Sequence, residues 1–179
     1  FLTGYTDLWN FRTNTNSYGW YFGSQGYTVE GSHPSYDWFY NRRNVNGYLG
    51  IPTYYFLENR YSELSPVTIA PDSILFQEIY NLYAANRDGA GGPYFSFNVT
   101  YQGHGPYDTE EVWRGDHYTD GRYSTETANI VDNYLGSVAD TAEQLAALVD
   151  RLRQEERPVV LVVFGDHKPW LGYSNSAYQ

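Results

Sequence analysis

Cysteine and methionine are both absent from this chain of 179 residues. Without cysteine the protein has no disulfide framework, no thiolate–zinc site and no cysteine nucleophile. The absence does not fix the compartment in which the protein works, because an exported protein can also lack cysteine. Since the sequence opens at Phe1 rather than at a methionine, we expect it to be a fragment of a longer protein.

Basic residues and long hydrophobic runs are also scarce. The chain has 11 Lys and Arg against 21 Asp and Glu, which gives a formal net charge of −10. A protein that binds along a nucleic-acid backbone carries a basic stripe, so we exclude nucleic acid as a partner. No stretch approaches the ~18 consecutive apolar residues of a membrane-spanning helix. With 41% hydrophobic residues, the chain is nevertheless suited to one folded domain.

Aromatic residues, by contrast, are abundant at 19%, with 20 Tyr and 5 Trp. A tyrosine packs its ring while its hydroxyl makes hydrogen bonds, which suits the recognition of sugars and other amphiphilic polymers. Tyrosine also serves as ordinary packing. Composition alone leaves both interpretations open.

Hydrophobic periodicity predicts strands that alternate with helices. The predicted helices are Tyr18–Ser24, 71–86 and a long amphipathic helix through 131–152. The predicted strands are 27–30, 94–100 and 159–164, and the last two are apolar enough to be buried on both faces. This order indicates an α/β fold with a mostly parallel central sheet and helices on both faces.

Polar side chains follow two of the predicted strands, at the edge of the sheet where α/β proteins bind ligands. Asp166 and His167 come directly after strand 159–164 and offer a carboxylate oxygen and an imidazole nitrogen to a divalent metal. His104 lies in a glycine-flanked turn after strand 94–100, from which it can reach the same site. The alternative is that Asp166 caps a helix and His167 is a surface histidine.

The Gly-Asp-His tripeptide occurs a second time, at Gly115-Asp116-His117. This copy lies inside a polar loop with no predicted strand before it. We therefore expect no metal role for it, because the strand rather than the tripeptide supplies the rigid support that a metal ligand needs.

Arg42 and Arg43 lie next to a run of aromatic residues that ends at Tyr40. A guanidinium binds an oxyanion through paired hydrogen bonds, so this cluster is a candidate site for an anionic substrate in an otherwise acidic chain. The alternative is an arginine that stacks on aromatic rings as part of the packing. Neither a Gly-x-Ser-x-Gly motif nor a phosphate-binding glycine loop occurs in the sequence.

These polar segments resemble motifs of the lipoteichoic acid synthase-like sulfatases, in the alkaline phosphatase/sulfatase superfamily. Segment 40–50, which begins Tyr-Asn-Arg-Arg-Asn-Val and ends Leu-Gly, resembles that family's "FYNR-x-x-V…LG" block. Segment 99–107 ends in His-Gly-Pro-Tyr and resembles "T-x-x-x-HGPY". Segment 164–169 is similar to "FGDH-x-P". The segments follow the family's order, and the resemblance covers residues 26–172.

The resemblance implies an alkaline phosphatase/sulfatase-like fold and a metal-dependent phosphoglycerol transferase or phosphoesterase that acts on lipid- or glycan-linked phosphoglycerol. Asp166 and His167 would be ligands of a divalent cation, most often Mn²⁺. Arg42 and His104 would bind the phosphate or sulfate of the substrate. Tyr40 falls where members of the family place an aromatic ring against the substrate glycerol.

The resemblance also implies that half of the active site is missing. The family's Thr or Ser nucleophile and an acidic metal ligand precede its "EF-x-x-LTG" segment, which Phe1-Leu2-Thr3-Gly4 resembles. We therefore expect residues 1–179 to be a single partial catalytic domain, truncated on the N-terminal side. By itself it would bind metal weakly and turn nothing over. The parent protein would work at the extracellular face of the bacterial cytoplasmic membrane, anchored by helices upstream of this chain.

Other functions stay open. Within the same superfamily, the alternative is a hydrolase of sulfate esters on glycans or lipids. Outside the enzymes, a non-catalytic module could bind a glycan or wall polymer through its Tyr and Trp side chains, or a degenerate paralogue could serve as a scaffold. A binding module predicts affinity without metal, whereas the enzyme predicts affinity that depends on Mn²⁺ and on Asp166.

Overall fold

The structure is a computed structural model that describes residues 12–113 and 118–178. Within these ranges the chain divides into two compact units, of which the first ends at Tyr101 and the second begins at Gln102. Two segments for which predictions were made from the sequence lie outside the described residues. They are Phe1-Leu2-Thr3-Gly4 and the Gly115-Asp116-His117 tripeptide.

The first unit combines short helices with a small sheet. Its helices are α1 (Tyr18–Ser24), α2 (Arg42–Tyr48), α3 (Ser62–Leu64) and α4 (Asp72–Asp88). Its strands are β1 (Thr28–Ser32), β2 (Thr53–Tyr55) and β3 (Tyr94–Asn98). A 3₁₀ turn at Phe39–Asn41 leads into α2, and a π turn at Leu57–Tyr61 leads into α3.

The sheet has the order β2-β1-β3, and both neighbours of β1 run parallel to it. The predicted α/β fold with a parallel sheet is therefore confirmed. One hydrophobic core forms where α1, α2 and the sheet meet, from Val29, Val45, Leu49, Ile51, Tyr54 and Phe56. Because the strands are parallel, their carboxyl ends lie at one edge of the sheet.

Local signals explain the helices that flank this sheet. Ser17 caps α1, since its hydroxyl accepts a hydrogen bond from the Trp20 N–H at 3.3 Å. Helix α4 begins after Pro71, as the sequence predicts, and ends at Gly89. Strand β2 and helix α2 were not predicted, because segments this short carry little periodicity.

The second unit is built on the long helix α5 (Thr125–Leu152) and ends in a 3₁₀ segment at Tyr173–Tyr178. Ser124 caps α5 by accepting the Thr127 N–H at 3.3 Å. The helical side chains Ile130 and Val131 pack with Leu171 in the core of this unit. Within the described ranges, no helix combines the length and apolar character that crossing a bilayer requires.

Two strand predictions were wrong in detail. Segment 159–164 forms no strand in the described structure, and its side chains are exposed, with Val160 at 88%. An apolar run becomes a strand only when a neighbouring strand forms hydrogen bonds with its N–H and C=O groups. The sequence shows that the segment is apolar, but it does not show which strand lies beside it. Strand β3 is half-buried rather than fully buried, because it lies at an edge of the three-stranded sheet.

Candidate functional site

The Arg42 cluster belongs to the first unit and follows a turn with unusual backbone geometry. Tyr40 and Asn41 both adopt left-handed conformations, with φ of 57° and 53°. Asparagine tolerates this region, whereas a tyrosine there costs roughly 1–2 kcal/mol. Strain of this kind is typical of sites where a backbone must aim particular side chains.

Polar contacts hold this turn in place. The Arg43 guanidinium forms an ion pair with the Asp37 carboxylate, and the Arg43 N–H donates to the Asp37 carbonyl at 3.0 Å. The Asp37 N–H in turn donates to the Glu58 carboxylate at 3.3 Å. The turn is therefore fixed to the π turn that follows β2, and Arg43 takes part in this anchoring.

Arg42 itself is half-buried and stacked on aromatic rings. Its Cζ lies 4.9 Å from the Tyr40 ring centroid and 5.9 Å from that of Phe39, and its Nη1 donates to the Phe39 carbonyl at 3.3 Å. The stacking that the sequence offered as an alternative is thus present. It is compatible with anion binding, because stacking uses the face of a guanidinium and hydrogen bonding uses its edge.

His33 holds the carboxyl ends of the strands together, and sequence reasoning gave it no such role. It is fully buried directly after β1. Its backbone N–H donates to the Tyr55 carbonyl of β2 at 2.8 Å, and its Nδ1 donates to the Val99 carbonyl, just past β3, at 2.9 Å. The sequence places His33 shortly after the predicted strand 27–30, in a His33-Pro34 pair that the resembling family often has before the segment at 40–50, and neither signal identifies these partners.

The remaining predicted site residues lie in the second unit. The rings of His104 and His167 meet edge to face, with centroids 6.1 Å apart and planes at 89°. The structure therefore brings together two residues that are more than sixty positions apart in the sequence. Arg42 and Tyr40 belong to the first unit.

Asp166 and His167 fit one side of a divalent-metal site. Asp166 Oδ1 accepts the His167 N–H at 2.8 Å, and His167 Nδ1 donates to the Lys168 carbonyl at 2.9 Å. With its proton on Nδ1, the neutral ring carries its lone pair on Nε2, which lies 3.6 Å from Asp166 Oδ2. Ligands that each lie about 2.0–2.2 Å from a metal ion have separations of this order.

This donor pair is incomplete as a coordination sphere. Both side chains are largely exposed, Asp166 at 77% and His167 at 62%. Residues 12–113 and 118–178 contain no group of three or more His, Asp or Glu side chains placed to share a metal ion. The pair can therefore supply two ligands, and a tightly bound ion needs further ones.

The loop that follows His104 is shaped by Tyr107 and Asp108. The Tyr107 hydroxyl donates to the Gly103 carbonyl at 2.7 Å, and burial raises the pKa of Tyr107 to about 12, so it remains protonated at neutral pH. Asp108 Oδ1 accepts the backbone N–H groups of Glu110 and Glu111, and its Oδ2 accepts the indole N–H of Trp113 at 2.7 Å. These hydrogen bonds lower the pKa of Asp108, and the bond from the Glu111 N–H has the largest effect.

Polar side chains on α5 anchor the same loop. Asn129 Nδ2 donates to the Thr109 carbonyl at 2.9 Å, and Asn133 Oδ1 accepts the Trp113 N–H at 2.7 Å. Asp132 accepts the backbone N–H of Tyr118 at 2.9 Å. Asn129, Asp132 and Asn133 lie on one helix face at spacings of three and four, a sequence signal that could have predicted this role.

We expect the Asp108 carboxylate to order the loop at neutral pH. The pKa of Asp108 in the folded chain lies below its ordinary value of 3.8. The carboxylate therefore contributes its full stabilisation above pH 3.8, and this contribution is lost as the pH falls through the pKa of the folded state. The chemical shift of the Trp113 indole N–H should titrate with that pKa in the native chain and stay constant over the same range in Asp108→Asn.

Asp120→Asn is the matched control, since Asp120 is exposed and its pKa is lowered mainly by Arg122. It should leave the Trp113 titration unchanged. A Trp113 shift that still titrates in Asp108→Asn would show that another carboxylate controls the loop.

Comparison with known proteins identifies the family. Residues 3–179 match the model of the family described as Sulfatase. The chain is 29% identical over 160 residues to a protein of Rhizobium meliloti (strain 1021) that is provisionally named a cyclic beta-1,2-glucan modification protein. That alignment covers 88% of this chain and 24% of the relative.

Solved structures share the fold. The lipoteichoic acid synthase LtaP from Listeria monocytogenes matches with a TM-score of 0.63 at 17% identity, over 84% of this chain and 35% of that one. The Streptococcus pyogenes phosphoglycerol transferase GacH, solved in complex with sn-glycerol-1-phosphate, matches with a TM-score of 0.56 at 20% identity, over 74% and 34% of the two chains.

A Vibrio parahaemolyticus protein of the alkaline phosphatase superfamily has the same TM-score of 0.56 at 16% identity, over 82% of this chain and 37% of that one. The chain thus spans about a quarter of the length of the Rhizobium relative and about a third of each of these structures. The family match over nearly the whole sequence, together with the shared fold, shows that this chain belongs to the sulfatase family, within the alkaline phosphatase/sulfatase superfamily.

Proposed function

We propose that this chain is part of a metal-dependent phosphoglycerol transferase or phosphoesterase that acts on lipid- or glycan-linked phosphoglycerol. The observation that carries the proposal is the Asp166–His167 pair, whose Oδ2 and Nε2 atoms lie 3.6 Å apart while His167 Nδ1 is held by a backbone carbonyl. The similar solved structures include a lipoteichoic acid synthase and a phosphoglycerol transferase, and the Rhizobium relative is named for glucan modification.

In this proposal each predicted residue has a defined role. Asp166 and His167 hold a divalent cation, Mn²⁺ by preference. Bound there, the cation would polarise a phosphoryl oxygen and lower the pKa of a coordinated hydroxyl. Arg42 and His104 donate hydrogen bonds to the phosphate oxygens, and Tyr40 contacts the glycerol.

The transfer itself needs a hydroxyl nucleophile, a Thr or Ser from outside this sequence. The phosphoryl group would pass first to that hydroxyl, which releases the leaving alcohol, and then to an acceptor hydroxyl or to water. Residues 1–179 would form part of one catalytic domain, in a protein anchored at the extracellular face of the bacterial cytoplasmic membrane. The chain by itself is expected to bind ligands without turnover.

Calorimetric titration of sn-glycerol-1-phosphate into the chain, with Mn²⁺ and with EDTA, tests this function. We expect binding that requires Mn²⁺. Equal binding in EDTA would instead support a non-catalytic glycan or wall-polymer module. A clear preference for a sulfate ester over sn-glycerol-1-phosphate would support the hydrolase alternative.

Arg42→Lys should weaken that Mn²⁺-dependent binding about tenfold, because an ammonium group cannot make the planar, paired hydrogen bonds of a guanidinium. Arg153→Lys is the matched control, since the Arg153 side chain is 78% exposed and its nearest carboxylate contact is 4.0 Å. Unchanged affinity in Arg42→Lys would remove Arg42 from the proposed site.

A further inference from the structure

The strained turn that leads into Arg42 needs support from its surroundings. Tyr40 and Asn41 are consecutive left-handed residues, and such conformations persist only where the rest of the structure over-determines them. The ion pair between Arg43 and Asp37 joins the two flanks of the turn. The conformation of the turn therefore depends on what holds Asp37 in place.

The π turn Leu57–Tyr61 contacts this segment at two adjacent points. The Leu57 N–H donates to the Ser35 carbonyl at 3.1 Å. The Glu58 carboxylate accepts the Asp37 N–H, with its two oxygens at 3.3 and 3.4 Å from the nitrogen. The first contact involves only backbone, whereas the second depends on the Glu58 side chain. π turns are rare and frequently lie at functional sites.

The next two residues of the π turn attach it to the sheet and to helix α4. Asn59 Nδ2 donates to the Tyr54 carbonyl of β2 at 3.0 Å. Arg60 Nε donates to the Glu78 carboxylate of α4 at 2.6 Å, and Glu78 is buried. Charge-assisted hydrogen bonds of this kind are stronger than those between neutral groups. The π turn is thus a fixed support for its contacts with the Arg42 turn.

We propose that Glu58 is a positioning residue for Arg42. By holding the Asp37 N–H, its carboxylate keeps the turn in the conformation that stacks the Arg42 guanidinium on Tyr40 and leaves the guanidinium edge for an anion. The inference rests on the function proposed above for Arg42. Because a carboxylate repels a phosphate, Glu58 acts through Arg42 and not through contact with the ligand.

The NMR signal of the Arg42 Nε–H group, identified by its absence from Arg42→Lys, tests this role without ligand. In the native chain, the ring current of Tyr40 should displace this signal from the position of a free arginine. Glu58→Ala should move it toward that position, whereas Glu58→Gln should keep it near the native one, because an amide oxygen also accepts an N–H. Glu63→Ala is the matched control, since Glu63 is an exposed glutamate in α3, directly after the π turn, and it should leave the signal unchanged.

Calorimetric titration of sn-glycerol-1-phosphate with Mn²⁺ measures the consequence for the ligand. Glu58→Ala should raise the dissociation constant about fivefold, the typical effect of one lost hydrogen bond. In the Arg42→Lys chain the same substitution should have little further effect, because both changes act on one interaction. The melting temperature should stay near the native value, since Glu58 is exposed.

The outcomes separate this inference from the function on which it rests. A native Arg42 signal in Glu58→Ala, or an equal displacement in Glu63→Ala, would overturn it. An affinity loss that adds in full to that of Arg42→Lys would also overturn it, and loss of folding in Glu58→Ala would show a structural role instead. A displaced Arg42 signal in Glu58→Ala, when the native chain shows no Mn²⁺-dependent binding of sn-glycerol-1-phosphate, would keep the positioning of Arg42 by Glu58 and reject the transferase.

Discussion

Asp166→Asn is expected to abolish Mn²⁺ binding in the full-length parent protein, and the weak Mn²⁺ binding of this chain, while the fold stays intact. Replacing the carboxylate by an amide removes the negative charge and an oxygen donor, and Mn²⁺ prefers charged oxygen ligands. Changes that only reorient a ligand cost roughly 10–100-fold in affinity, so the loss of a ligand should cost about 100-fold or more. The side chain is 77% exposed, so the free energy of unfolding should change little. Mn²⁺ titration and thermal unfolding measure the two effects.

Asp120→Asn serves as the control for this substitution. Asp120 lies in the same unit, its side chain is 59% exposed, and it pairs with Arg122 rather than with a histidine. It should retain the native Mn²⁺ affinity. Native affinity in Asp166→Asn would exclude Asp166 as a ligand, and loss of folding would show that its role is structural.

Gly31→Ala is expected to destabilise the first unit strongly. Gly31 lies in the central strand β1, and an added Cβ would overlap the Tyr54 ring of β2 and the Phe97 carbonyl of β3. The Phe97 carbonyl is backbone and cannot rotate away, and the Tyr54 ring is buried in the core. Overpacking typically costs 1–3 kcal/mol, and here we expect about 3 kcal/mol or more because the strands themselves must separate.

Gly47→Ala is the matched control for that prediction. Gly47 lies in helix α2, and nothing lies within 4 Å of the Cβ that an alanine would add. In a helix this exchange should stabilise by roughly 0.5–1 kcal/mol, because glycine loses more conformational freedom on folding. Urea unfolding of both variants measures the free energy of unfolding. A Gly31→Ala variant as stable as the native chain would mean that the strands can move apart at little cost.

Much of the helical structure could be predicted, because the signals that specify it are local. Helix α1 has the predicted bounds, α4 begins after Pro71, and both α4 and α5 follow from apolar residues repeated every three or four positions. Helix α2 and strand β2 were missed, since α2 begins at two left-handed residues and β2 has only three residues. Neither leaves a periodic pattern.

The candidate residues were accessible from sequence, whereas their surroundings were not. Asp166, His167, His104 and Arg42 lie in motifs that can be recognised directly. The role of His33 depends on contacts with two other strands, and the stacking of Arg42 depends on the backbone of Tyr40. These contacts join residues through the folded chain, so no local pattern reports them.

By itself the sequence determined the family, the α/β class, the long helices and the identity of the metal- and anion-binding candidates, because motifs and helical periodicity depend on residues close together in the chain. Only the tertiary structure decided that His104 meets His167, that His33 joins the ends of the strands, and that segment 159–164 is exposed and not assigned as a strand within residues 12–113 and 118–178. The physical reason is that hydrogen-bond pairing between strands and contacts between distant side chains are settled by which segments meet, and apolar character alone does not specify the partner.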